Sequence, residues 1–390
     1  MTLMKRCRTS DWNGIRSAAL TACAMMLVLA LTSPARAIDT KAREAILIDA
    51  TTGAVLLEKD ADAPMPPASM SKIMTVYMVF TRLEEGRLSL DDTLPVSERA
   101  WKMGGSKMFV EVGSEIRVED LLQGVIVQSG NDACIVLAEG LAGSEEAFAE
   151  AMTEKAREIG LTDSNFTNAT GWPDPDHRTT ARDLATLALR TIRDFPDYYH
   201  YYGEKEFVWS EIRQGNRNPL LYKTVGADGL KTGHTEEAGY GLTASAVQGD
   251  RRLILVVSGL ESVRERSEES ERLLRWGFRE FDNYALFKAN DTVDEAPVWL
   301  GEATTVPLVA NEDLVLTLTR NARKGMKVSV NYASPIPAPI EQGQQLAQLV
   351  VTPSEGDAVS FPLYAGASVA QKGPFGRLVS AVQFLIFGAH

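Results

Sequence analysis

Covalent reinforcement is the first thing this sequence lacks. Of its 390 residues only three are cysteine. Cys7 and Cys23 lie near the N-terminus, which leaves Cys134 alone in the body of the chain. One cysteine excludes an internal disulfide there, so stability must come from packing, which this length permits. Positive charge is also scarce. Forty Lys and Arg against 52 Asp and Glu give a formal net charge of -12, which argues against a nucleic-acid partner. Of the four histidines, His177 and His200 have no partners at ligand spacing, so neither a metal site nor a cofactor is expected. No apolar run reaches the ~20 residues that a spanning helix requires.

The longest apolar run, "AALTACAMMLVLAL", follows a basic leader containing Lys5, Arg6, Arg8 and Arg16. "SPARA" comes next, and Ala35-Arg36-Ala37 fits the small-x-small pattern of a cleavage site. Residues 1–37 therefore read as a signal peptide, with a mature start near Ile38. "LTAC" resembles a lipoprotein box, but a cut at Cys23 would leave half the apolar segment on the product. The leader is basic, so its removal makes the body still more acidic.

"EAILIDATTGAVLLEKDAD" reads as two strands around a Thr-Thr-Gly turn. From Ser69 to about Leu83, apolar residues recur at helical spacing (Ile73, Met74, Tyr77, Met78, Phe80). Helical patterns fill Glu119 to roughly Arg193. "YGLTASAV" and "RRLILVVSGL" are then strand-like, and "SEESERLLRWGFREFDNY" a closing helix. Strands at both ends with helices between predict an α+β domain whose sheet joins distant parts of the chain. After about Asp282 come short strand-like runs separated by Gly, Pro, Asn and Asp, which predict a small β-sandwich. The tail "KGPFGRLVSAVQFLIFGAH" places Phe375, Leu378, Val379, Val382, Leu385 and Ile386 on one helical stripe. That stripe suits a membrane surface, with Lys372 and Arg377 near lipid phosphates; docking on the β domain is the alternative.

Three short motifs follow one another. "PASMSK" holds Ser69-x-x-Lys72; "IVQSGNDA" holds Ser129-Gly130-Asn131; "ADGLKTGHT" holds Lys231-Thr232-Gly233. A Ser-x-x-Lys match alone is expected about once by chance in a chain this long. All three in this order, the first opening a helix and the last preceding a strand, are a different matter. A serine hydroxyl needs a neighbouring base to act as a nucleophile. Residues three apart share a helical face, so Lys72 can reach Ser69. To accept a proton Lys72 must be neutral, which desolvation and a second positive charge favour, and Lys231 is the candidate for that charge.

With these motifs the chain resembles the serine-type D-alanyl-D-alanine carboxypeptidases, the low-molecular-mass penicillin-binding proteins. The triplet is common to the superfamily that includes class A β-lactamases, but "PASMSKIMT", "SGNDA" and "KTGHT…AGYGLTASA" are more similar to the carboxypeptidases. The resemblance implies a β-lactamase/DD-peptidase-like catalytic domain over 38–282, a small β domain over 283–370 and an amphipathic membrane-surface helix over 371–390. It implies peptidoglycan stem peptides ending in D-Ala-D-Ala as substrates, β-lactams as inhibitors, and a place on the periplasmic face of the inner membrane. Ser69 would be the nucleophile and Lys72 its base, with Ser71 a bystander. Ser129 would relay a proton to the leaving D-alanine, and Asn131 would hydrogen-bond the substrate backbone. Lys231 and Thr232 would hold the terminal carboxylate, and Gly233 would let substrate approach the strand. The backbone N–H groups of Ser69 and His234 would form the oxyanion hole, with His234 a shape residue and not a base.

Arg217 is a further candidate for the carboxylate, although a surface arginine is an equal reading. "GGSKMFVEVG" (104–113) resembles the family's loop at the site mouth; a plain hairpin is the alternative. Cys134 reads as core packing. A class A β-lactamase would add a deacylating glutamate in Glu-x-x-Leu-Asn; "EIGLT" at Glu158 is the nearest string and ends in Thr162. An endopeptidase cutting D-alanyl crosslinks would use the same acyl chemistry, and a non-catalytic peptidoglycan scaffold would need none of the three motifs.

Overall fold

The structure is a computed structural model that describes residues 38–378. The expected signal peptide, and the tail beyond Leu378, lie outside the described residues. A five-stranded antiparallel sheet forms the frame. Its strands are β1 (Glu44–Asp49), β2 (Val55–Lys59), β3 (Ala227–Thr235), β4 (Gly239–Gln248) and β5 (Arg251–Leu260), in the order β2-β1-β5-β4-β3. The chain leaves after β2 and returns some 170 residues later as β3, the far edge. All six residues of β1 are buried. Both faces of this strand are covered, which is why it reads as a nearly continuous apolar run rather than an alternation. Ile46, Ile48, Ile254 and Val256 belong to the core shared with the helices.

Between β2 and β3 lie α1 (Lys72–Glu84), α2 (Val118–Ile126), α3 (Asn131–Ala142), α4 (Glu145–Glu158) and α5 (Ala181–Asp194). α1 is buried nearly all round, and α2, α3, α4 and α5 each touch it. That burial explains its almost unbroken apolar sequence "KIMTVYMVF". Local signals set the starts of α4 and α5. Ser144 accepts from the Ala147 N–H and Thr180 from the Asp183 N–H, each satisfying an otherwise open helix donor. α6 (Val263–Glu280) packs against β4 and β5.

The helix expected from Ser69 begins later. Ala68–Ser71 is a 3-10 turn, and α-helix starts at Lys72. Residues three apart eclipse in a 3-10 turn, which brings Ser69 and Lys72 into line. The 104–113 segment is not a hairpin either. It is an irregular loop whose Met108, Phe109 and Val110 N–H groups all donate to the Asp132 carboxylate, at 2.8, 2.8 and 3.2 Å.

α6 runs directly into β6 (Phe281–Phe287), so the change of texture read after Asp282 falls inside a strand. β6 pairs with a strand at Leu314–Thr319, and a six-stranded sheet completes this β domain around its own core. Polar contacts tie the two domains. Arg251 pairs with buried Asp49 at 3.0 Å and donates to the Phe281 carbonyl, while Asn283 donates to Asp49 at 3.1 Å. At the C-terminal end residues 374–378 are helical.

Candidate active site

The 3-10 turn presents one residue outward. Ala68, Met70 and Ser71 are buried, whereas Ser69 is partly exposed. The turn lies against the edge strand β3, and Gly233 makes that possible. A Cβ on Gly233 would sit 2.9 Å from the Pro67 carbonyl oxygen and 3.2 Å from Ala68 Cβ. Gly233 was expected to admit substrate. It does line a cleft, but its missing side chain faces the serine turn.

Lys72 is fully buried, and its Nζ lies 3.0 Å from Ser69 Oγ. Nζ also donates to Asn131 Oδ1 at 2.8 Å and to the Thr170 carbonyl. Asn131 in turn donates through Nδ2 to the Gly104 carbonyl at 2.8 Å. The side chain expected to bind substrate thus already holds the lysine, because the start of α3 packs beside α1. Both added acceptors are carbonyl oxygens, which only accept. A neutral Lys72 amine therefore commits its two N–H bonds to them and leaves its lone pair for the Ser69 O–H.

Burial lowers the Lys72 pKa to about 8. The neighbouring charge that helps is the Arg217 guanidinium, while Asp132 acts the other way. Lys231, the neighbour expected to help, interacts electrostatically with Lys72. Lys231 is itself buried and pushed well below the usual lysine range, first by desolvation and then by Lys72 and Arg217. Among the described residues its Nζ bonds only the Thr232 carbonyl, at 3.3 Å. Cys134 is buried beside the lysines, and burial raises its thiol to about 12, so it stays neutral.

Two clefts meet at Ser69. The larger, about 460 Å³, is lined by Ser129, Arg217, Thr232, Gly233, His234, Tyr240, Val263 and Arg266 as well as Ser69. The smaller, about 280 Å³, runs past Gly105, Asn131, Thr170 and Trp172. Ser129 is almost fully buried, in left-handed backbone at φ +65°, a conformation uncommon for a non-glycine residue and concentrated at functional sites. Arg217, open in the sequence between surface and site, lines both clefts and donates to Ser106 Oγ at 2.7 Å. The His234 ring is exposed and stacks on Tyr240 with centroids 3.9 Å apart.

Sequence reasoning missed Arg266. It lies on α6, is 6% exposed, and has its guanidinium 5.8 Å from the Tyr240 ring. Its Nε is buried with no hydrogen-bond partner among the described residues, and burial lowers its pKa to about 10. A lone arginine within an amphipathic helical pattern gives no signal in sequence; only the fold aims it into a cleft. Among the described residues, neither cleft is lined by a carboxylate. Glu158 stands exposed at the end of α4, paired with Lys155.

A partly exposed serine hydroxyl against a buried amine, at the junction of two clefts that share Arg217, defines a serine hydrolase of the Ser–Lys type. The comparisons with known proteins agree. The family model described as D-alanyl-D-alanine carboxypeptidase matches residues 30–262, and that of the penicillin-binding protein 5 C-terminal domain matches 281–371. The D-alanyl-D-alanine carboxypeptidase DacC of Escherichia coli is 41% identical over 345 residues, 86% of each chain. The crystal structure of penicillin-binding protein 5 from Haemophilus influenzae superposes with a TM-score of 0.78 at 36% identity, covering 86% of this chain and 99% of that one. The carboxypeptidase DacD from Francisella tularensis gives 0.78 at 32% identity, covering 86% and 95%. The chain belongs to the D-alanyl-D-alanine carboxypeptidase family.

Proposed function

We propose that this protein is a serine DD-carboxypeptidase that removes the terminal D-alanine from peptidoglycan pentapeptide stems and is trapped by penicillin. The observation that carries the reading is the 3.0 Å approach of Lys72 Nζ to Ser69 Oγ, with both amine N–H bonds committed to carbonyl oxygens. Ser69 Oγ attacks the penultimate D-alanine carbonyl while its proton passes to the Lys72 lone pair. The Ser69 and His234 N–H groups hold the developing oxyanion; losing one such donor typically costs about 3 kcal/mol. Ser129 relays the proton from Lys72 to the departing D-alanine amine, which leaves Lys72 neutral again. Water then cleaves the Ser69 ester, with Lys72 again as base.

Thr232, Arg217 and Arg266 make the larger cleft an anion site suited to the terminal carboxylate, with Lys231 buried next to Thr232 in the same strand. The buried Arg266 guanidinium has no carboxylate partner among the described residues, which leaves it free for one on the substrate. With no carboxylate lining either cleft among the described residues, no second base assists Lys72 in deacylation, so a penicilloyl ester on Ser69 persists. D-alanine release from a pentapeptide stem tests the reading. Wild type releases it and Ser69→Ala does not; equal release by both would remove Ser69 from the mechanism.

Export and peripheral membrane attachment complete the proposal. The basic, apolar leader supports the first. The amphipathic tail supports the second, and its two described apolar residues, Phe375 and Leu378, are 80% and 62% exposed. Deleting the last eighteen residues should release the protein from the membrane fraction; an unchanged distribution would rule out the tail as anchor.

A further inference from the structure

Behind the serine turn lies a second, fully buried serine–histidine contact. Ser71, one helix position short of Lys72, is 0% exposed, and His177 is 2% exposed. His177 Nε2 lies 2.7 Å from Ser71 Oγ, and Ser71 Oγ donates to the Ala68 carbonyl at 2.9 Å. On the other side of the ring, the Thr167 N–H donates to His177 Nδ1 at 3.1 Å.

These contacts have only one consistent direction. A backbone N–H can only donate, so Nδ1 accepts and the neutral ring carries its proton on Nε2. Nε2–H then donates to Ser71 Oγ, whose single proton goes to the Ala68 carbonyl. The chain ends on a strained residue. Ala68 holds φ +48°, in left-handed backbone that alanine rarely adopts, and it immediately precedes Ser69. The segment that carries His177 also carries Thr170, whose carbonyl accepts from Lys72. Gly171 in that segment passes so close that a Cβ there would lie 1.9 Å from the Ala68 oxygen.

We propose that His177 is a positioning residue for the nucleophile: through Ser71 it holds the Ala68 carbonyl and so fixes the turn that presents Ser69 to Lys72 and to both clefts. This rests on the reading of Ser69 as nucleophile. Ser71 is thereby not idle; it is the link between the histidine and the strained residue. Among charged groups, Asp174 favours the charged ring while Lys72 and Arg178 oppose it, and burial lowers its pKa to about 4. The acceptor tautomer therefore persists through the neutral range.

The test uses the full-length protein and a fluorescent penicillin. Its readouts are the second-order rate constant for Ser69 acylation and, for folding, thermal unfolding. His177→Phe fills the volume but lacks both polar contacts, and Ser71→Ala breaks the link itself. Each should slow acylation about 10–100-fold, the usual consequence of an ångström-scale displacement of a reacting group. The double variant should be no slower than the worse single one, because the two residues act in series. His177→Gln, whose amide has one acceptor and donors, should recover most of the rate.

Wild-type acylation by folded His177→Phe would overturn the proposal, as would additive losses in the double variant. If His177→Phe does not fold, Ser71→Ala decides, and an unchanged rate there sinks the idea. Labelling of Ser69→Ala would instead refute the nucleophile assignment, so the two failures are distinguishable.

Discussion

The pH dependence of acylation is where the geometry makes its most exposed commitment. Lys72 acts as a base only when neutral. Burial, assisted by the Arg217 charge, brings its pKa to about 8. At pH 7 roughly one molecule in ten then has the free amine, and nearly all have it above pH 9. The maximal acylation rate at saturating penicillin should therefore rise about tenfold from pH 7 to a plateau near pH 9. Replacing Arg217 by Ala removes a positive charge that opposes the ammonium, so the Lys72 pKa rises and the limb moves to higher pH. The plateau should stay within about threefold, because Arg217 does not touch the reacting atoms, while apparent affinity for the anionic ligand falls. Stopped-flow fluorescence across pH 6 to 10.5, at several ligand concentrations, separates these effects. A rate that is flat from pH 6 to 9, or a limb that moves down in Arg217→Ala, would refute the reasoning.

Three further outcomes follow from individual residues. Gly233→Ala places a Cβ 2.9 Å from the Pro67 oxygen. It should cost about 1–3 kcal/mol in thermal or urea unfolding and slow penicillin acylation at least tenfold; wild-type values would show that the strand can yield. Lys231→Met should abolish D-alanine release yet stabilise the fold at pH 7 by about 1–3 kcal/mol, measured by denaturant unfolding. Its folded pKa is depressed, so the unfolded chain gains a proton that the native site resists, and native stability is lost as pH falls from the ordinary lysine range. Glu158→Gln should leave the lifetime of the penicilloyl enzyme unchanged within about twofold, since the side chain stands exposed beside Lys155; a markedly longer lifetime would return a base role to that residue.

What could be read from the sequence was whatever has a local cause. β1, β2 and α1 follow from apolar spacing, and Ser69, Lys72, Ser129 and Lys231 from three short motifs in order. What could not be read depends on contacts between distant backbone segments. The Thr170 carbonyl on Lys72 has no side-chain signature, since any residue supplies a carbonyl. Asn131 was visible, but its commitment to Lys72 and Gly104 was not, because both partners come from other elements. Gly233 illustrates the same limit: its need for a missing side chain was legible, but not which neighbour stands there. The loop at 104–113 has no regular period, and Asp132 orders it from a helix some twenty residues further on. Arg266 and His177 occupy ordinary helix and loop contexts, and only the fold turns one toward the cleft and buries the other behind it.

The central claim is that Ser69, activated by Lys72, forms a covalent acyl-enzyme. Mass spectrometry of the intact protein after brief penicillin treatment, followed by peptide mapping, tests this directly. A single persistent penicilloyl adduct on the peptide containing Ser69, absent from Ser69→Ala, is the predicted result. An adduct on another residue, or rapid turnover of penicillin with no adduct, would contradict it.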